Sequence, residues 1–133
     1  MTDYDLAILG GGPGGYVAAI RGAQLGLKTC IIEKDKLGGI CLNWGCVPTK
    51  ALLKNAEVYN TIKNADKYGI KVDKLSVDFP ANVKRSRDVS NRLSKGIEFL
   101  MKKNKITHIH GMGKLTSKTT IETNSSKKKE KVN

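Results

Sequence analysis

Aromatic residues are scarce in this chain. One Trp, four Tyr and two Phe stand among 133 residues, so its core must draw on Ile, Val, Leu and Ala. No apolar run approaches the ~20 residues that span a bilayer, which argues against a membrane helix. Residues Met1 to Asp5 carry acids where a secretory signal has a basic segment, so export is not expected. Acidic side chains are few, 12 against 24 Lys and Arg, and the formal net charge is +12. The excess is mostly Lys scattered from position 54 onward, with few aromatics between. A nucleic-acid site would cluster such charge on one face, so a solvated surface is expected and no nucleic-acid partner. Three cysteines without a secretion signal suggest a reducing compartment, bacterial cytoplasm or a mitochondrial matrix. The length and a 39% hydrophobic share suit one modest core.

The pattern along the chain is that of an α/β protein. Asp5 to Leu9 is an apolar run ending in glycines and reads as a buried strand. Gly14 to Leu25 has helical periodicity, stopped by Gly26, and Lys28 to Glu33 is a second β-branched run. Strand, turn, helix, strand is a βαβ unit of the Rossmann type with parallel strands. Residues from Cys41 to about Lys67 are expected to be helical, interrupted near Pro48. A short strand is expected at Ile70 to Val72. Asp78 should cap a long helix with Pro80 in its first turn, running to about Lys103. Its buried stripe is expected to be Val83, Val89, Leu93, Ile97, Leu100 and Met101. Short strands follow at Thr107 to His110, Lys114 to Leu115 and Thr119 to Glu122. The domain is expected to occupy 1–122, with 123–133 a disordered Lys-rich tail.

Gly10, Gly12 and Gly15 form G-x-G-x-x-G between the first strand and its helix. Gly10 permits the tight turn, Gly12 lets backbone approach a pyrophosphate, and Gly15 lets the helix pack closely. Pro13 and Gly14 open the helix, whose free N–H groups and positive dipole end favour phosphate. Glu33 ends the second strand, 23 residues after Gly10, where a carboxylate can accept hydrogen bonds from ribose hydroxyls.

Cys41 and Cys46 are spaced C-x4-C. In a straight helix five residues rise about 7.5 Å, beyond the ~4.4–6.8 Å Cα separation of ordinary disulfides. A bond therefore needs a distorted turn, and Gly39, Gly45 and Pro48 provide places for one. Such a small loop gains little entropic stability, so redox chemistry suits it better than stapling. Zinc would need two further ligands. His108 and His110 lie more than sixty residues on, and no metal is expected. The two histidines alternate along a strand and should face one side, as a surface or cofactor-edge pair. Cys30 reads as a small core residue.

The segment Gly38-Gly39-Ile40-Cys41-Leu42-Asn43-Trp44-Gly45-Cys46-Val47-Pro48-Thr49-Lys50 resembles the redox motif of the FAD-carrying pyridine nucleotide–disulfide oxidoreductases. Leu42 and the helix from Gly15 to Lys28 are most similar to the dihydrolipoyl dehydrogenases among them. The resemblance implies that Cys41 exchanges with dihydrolipoamide and that Cys46 faces the flavin. It implies Lys50 near the flavin ring, Glu33 on the adenosine ribose and Gly113 beside the adenine. It also places Gly10, Gly12, Pro13, Gly14, Gly15, Lys34, Gly39 and Cys41 along the FAD. NAD would be the co-substrate, the lipoyl domains of 2-oxo acid dehydrogenase complexes the partners, and a homodimer the assembly. Members of that family are longer, so this chain is expected to be the N-terminal FAD-binding portion, without the NAD and interface domains. The competing expectations are a non-catalytic FAD- or ADP-binding remnant, a glutathione- or mercuric-reductase-like relative, and a dithiol protein without flavin.

Overall fold

The computed structural model describes residues 3–125 and 128–132. Strand β1 (Leu6–Leu9), helix α1 (Pro13–Gln24) and strand β2 (Thr29–Glu33) form the expected βαβ unit, with β1 and β2 parallel. Helix α2 (Gly39–Asn43), helix α3 (Cys46–Lys63) and a 3-10 turn (Ala65–Tyr68) precede the long helix α4 (Phe79–Lys103). Strand β3 (Thr107–Leu115) then lies parallel to β2 through His110. From Gly111 onward the same strand pairs antiparallel with β4 (Ile121–Ser125), which pairs with β5 (Lys128–Val132). The sheet order is β1-β2-β3-β4-β5, three parallel strands continued by an antiparallel meander.

β2 is buried along Thr29 to Ile32, as a central parallel strand covered on both faces must be. Ile31 faces the helices with Ala19, Leu37, Ile97, Met101 and Ile106, while Cys30 and Ile32 face Ile109 and Ile121 on the opposite side. Truncating a residue such as Ile31 to Ala should cost about 2–5 kcal/mol. Helix α1 comes close to the sheet through small residues, and a Cβ on Gly22 would lie 2.5 Å from Leu6 Cδ2.

Several sequence expectations are corrected. The helical stretch after Gly39 breaks at Trp44 and Gly45, not near Pro48. Pro48 sits in the first turn of α3, where its missing N–H would have had no partner. No strand forms at Ile70 to Val72; both residues are exposed and the backbone there is irregular. The cap at Asp78 forms as expected, its Oδ1 accepting from Ala81 N–H at 3.0 Å. The buried stripe of α4 keeps the expected Ile97 and Met101 but continues through Ser86, Ser90 and Ser94, while Val83, Leu93 and Leu100 are exposed. Small serines let α4 approach the α2–α3 region more closely than leucines would. In the segment expected to be a disordered tail, strands β4 and β5 take in residues 123–125 and 128–132. Thr123 is buried beside Ile121 with Glu122 and Asn124 outward, the alternation of a half-covered strand. Positions 126, 127 and 133 of that tail lie outside the described residues. No helix among the described residues is long and apolar enough to cross a membrane.

Candidate functional site: a glycine turn joined to a dithiol turn

The glycine turn is held from below. Glu33 Oε2 accepts from Gly11 N–H at 2.7 Å, and its Oε1 accepts from Asp35 N–H at 2.9 Å. A carboxylate has roughly four lone-pair sites, so acceptor capacity remains for a ligand hydroxyl. Gly10 has a φ of +103°, the left-handed region that favours glycine. A Cβ on Gly15 would collide with the Gly10 carbonyl, so close packing of α1 requires that glycine. Gly12 and Gly14 face open space instead, with no atom within 4 Å of a Cβ built there. Gly12 is the N-cap of α1 and no side chain caps that end; Pro13 occupies the first turn. Backbone N–H groups and a positive helix end therefore face a space that a phosphate can enter.

Beside this turn, at the C-terminal ends of the parallel strands, lies a cavity of about 190 Å³. Leu9, Gly10, Glu33, Lys34, Gly111 and Gly113 are among its walls. The cavity therefore stands at the position where open α/β sheets take ligands. A Cβ on Gly113 would come within 2.5 Å of Leu9 Cδ1 and 3.2 Å of Ile32 Cγ2, so a larger residue there would push the Leu9 side chain aside at the cavity wall.

The second half of the site is the dithiol. Cys41 and Cys46 are joined by a disulfide with a Cα–Cα distance of 4.7 Å. The distance is short because α2 stops at Asn43 and a new helix starts at Cys46. Cys46 is the first residue of α3, whose N-terminus lacks a side-chain cap, and a thiolate there is favoured by the helix dipole. Lys50, exposed, lies one turn further on α3. Gly38 N–H donates to the Gly11 carbonyl at 2.7 Å, and Gly39 packs on Gly12. These two contacts fasten the dithiol turn to the glycine turn.

Sequence reasoning missed the supports of this arrangement. Asn43 is buried and its Nδ2 donates to the Leu37 and Gly39 carbonyls at 3.1 and 3.0 Å. A lone amide inside an otherwise apolar turn was the available signal. Gly11, Arg87 and Ser94 were also missed, the last two because they lie far along the chain. His108 and His110 do face one side, with ring centroids 6.3 Å apart. Burial, with His110 adding to it, holds His108 below the usual imidazole range, against Glu98 and Glu33.

The comparisons with known proteins agree with the geometry. The chain is 50% identical over 133 residues to the dihydrolipoyl dehydrogenase of Zymomonas mobilis, covering 99% of this chain and 28% of that protein. It is 48% identical over 136 residues to that of Chlorobaculum parvum, covering 99% and 29%. With the Rhizobium etli protein of the same name it shares 54% over 126 residues, covering 94% and 26%. The chain thus spans less than a third of the length of these relatives. The sequence pattern described as pyridine nucleotide-disulphide oxidoreductase matches residues 4–133, which include the glycine turn, Glu33 beneath it and the dithiol, and the chain belongs to that family.

Proposed function

We propose that this chain forms the FAD-binding, dithiol-bearing part of a dihydrolipoyl dehydrogenase, which oxidises dihydrolipoamide and passes the electrons to NAD. The observation that carries the reading is the union of the two turns: Gly38 N–H on the Gly11 carbonyl and Gly39 on Gly12. A nucleotide phosphate held at the first turn thereby has its molecule beside a disulfide. The residues fit the cofactor. The space over Gly12 and Gly14 admits the pyrophosphate, with Pro13 and Gly15 shaping the helix end below it. Glu33, Lys34 and Gly113 line the cavity suited to the adenosine end. Gly39, Cys41, Cys46 and Lys50 are assigned to the flavin end. FAD, when bound, supplies a two-electron carrier between a dithiol and NAD.

The chain's own chemistry is thiol–disulfide exchange. A dihydrolipoamide thiolate attacks Cys41 Sγ, the Cys41–Cys46 bond breaks, and Cys46 leaves as a thiolate at the α3 N-terminus. The second dihydrolipoamide thiol then displaces Cys41, closing the lipoamide disulfide and leaving both cysteines reduced. The names of the relatives support this substrate. The same reading takes lipoyl domains of 2-oxo acid dehydrogenase complexes as the source of dihydrolipoamide, and a homodimer as the assembly. The test is flavin content. The chain, purified and incubated with FAD, should retain flavin absorbance after gel filtration, and dihydrolipoamide should bleach it. A colourless protein that takes up no FAD would sink the proposal.

A further inference from the structure

The turn that carries the cysteines is fastened to α4 by residues outside its own motif. Arg87 Nη1 donates to the Asn43 carbonyl at 3.1 Å, and Ser94 Oγ donates to the Leu37 carbonyl at 3.0 Å. These carbonyls bracket α2: Leu37 lies just before it and Asn43 is its last residue. Cys41 stands between them, and Cys46 follows Asn43 by three residues. Both donors belong to one helix, seven residues or about 10.5 Å apart, so α4 acts as a ruler for α2. The terminal carbonyls of a helix lack intrahelical partners. Arg87 satisfies the one at Asn43, where α2 must stop if the two cysteine Cα atoms are to stand 4.7 Å apart.

We propose that Arg87 is a positioning residue for the dithiol, holding the break between α2 and α3 and so favouring disulfide closure. The proposal rests on the reading of Cys41 and Cys46 as a reversible couple. Loss of the tie lets the end of α2 drift, which lowers the effective concentration of one thiol at the other. Arg85 provides the control. It comes from the same helix and also binds a carbonyl, but its Nη1 donates to Ala51 O and Asn55 Oδ1 in α3, beyond the cysteines.

The experiment equilibrates the full chain with mixtures of reduced and oxidised glutathione, then alkylates it and weighs it. In the exchange two glutathione thiols give up two electrons and two protons to become glutathione disulfide. The Cys41–Cys46 bond breaks and takes them up as two thiols. Arg87→Met should lower the equilibrium constant for the protein disulfide about tenfold, which is about 30 mV. Arg87→Lys, keeping a cation without the planar fork, should lower it less. Arg85→Met should stay within about twofold of wild type. An Arg87→Met constant within that range, or an equal fall in Arg85→Met, overturns the proposal. If Arg87→Met does not fold, Arg87→Lys against Arg85→Lys decides: a fall confined to position 87 supports it and equality overturns it. A wild-type chain with both thiols free at every glutathione ratio would instead refute the dithiol reading, and the proposal with it.

Discussion

Gly39 lies directly on Gly12: a Cβ built on Gly39 would stand 2.8 Å from Gly12 Cα and 3.5 Å from Pro13 Cδ. Gly39 also has a φ of +63°. Steric room and backbone conformation therefore both favour glycine at this contact, which stands beside the Gly38 N–H bond to the Gly11 carbonyl between the dithiol turn and the phosphate turn. Gly39→Ala should lower stability by about 1–3 kcal/mol and reduce flavin retention. Gly96→Ala is the control. It lies inside α4 with nothing within 4 Å of its Cβ, and should gain about 0.5–1 kcal/mol. Urea melts of the two variants should move in opposite directions; movement in the same direction would refute the packing argument.

Gly12 and Gly15 belong to one motif, yet they should fail differently. Gly15→Ala drives a methyl into the Gly10 carbonyl, so its cost is to folding, about 1–3 kcal/mol with or without ligand. Gly12 has extended backbone and open space around it. Gly12→Val should fold with a loss of at most about 1 kcal/mol, while FAD binding weakens about ten- to a hundredfold. Thermal melts and flavin titrations on both variants check the pair. Unchanged flavin affinity in Gly12→Val would remove the phosphate assignment.

Glu33 should matter before any ligand arrives. Its two oxygens take the Gly11 and Asp35 N–H groups. Gln presents one oxygen acceptor and one NH2 donor, so Glu33→Gln points a donor at a donor. The ligand-free variant should be about 1–3 kcal/mol less stable than wild type, as measured by denaturant unfolding. Equal stability would restrict Glu33 to ligand contact alone.

The sequence was most legible where local chemistry and fold coincide. From Asp5 to Glu33, an apolar run, a glycine turn, a periodic helix and a β-branched run each favour the same unit. The Asp78 cap was legible for the same reason, because one side chain and one Pro define it. Elsewhere tertiary packing decided. The apolar stripe of α4 pointed to Val83, Leu93 and Leu100, but close approach to the dithiol turn selected Ser86, Ser90 and Ser94 as the inner residues. The Cys41–Cys46 spacing implied a distorted turn, and of its three candidate places the break falls at Gly45 with Trp44, while Pro48 is accommodated in the first turn of α3. Arg87 and Ser94 were invisible because their partners are backbone carbonyls more than forty residues away.

Cys30 supplies a prediction in pH. Its side chain is buried in β2, and desolvation raises its thiol pKa from 9.0 to about 11, opposed by a hydrogen bond from the Ile8 backbone. Below pH 9 the thiol is protonated in folded and unfolded chains alike, and the folded state keeps its full stability. As pH rises from 9 toward 11, the unfolded chain ionises first and is favoured, so stability falls. The loss attributable to Cys30 should be on the order of 2 kcal/mol by pH 11. The quantity to measure is the difference in pH slope between wild type and Cys30→Ala, in which every group common to the two chains cancels. The same burial predicts that iodoacetamide at pH 8 labels two thiols in the reduced folded chain, Cys41 and Cys46. The third should appear only in denaturant. Parallel pH slopes, together with rapid labelling of Cys30 in the folded chain, would show that β2 is open to solvent.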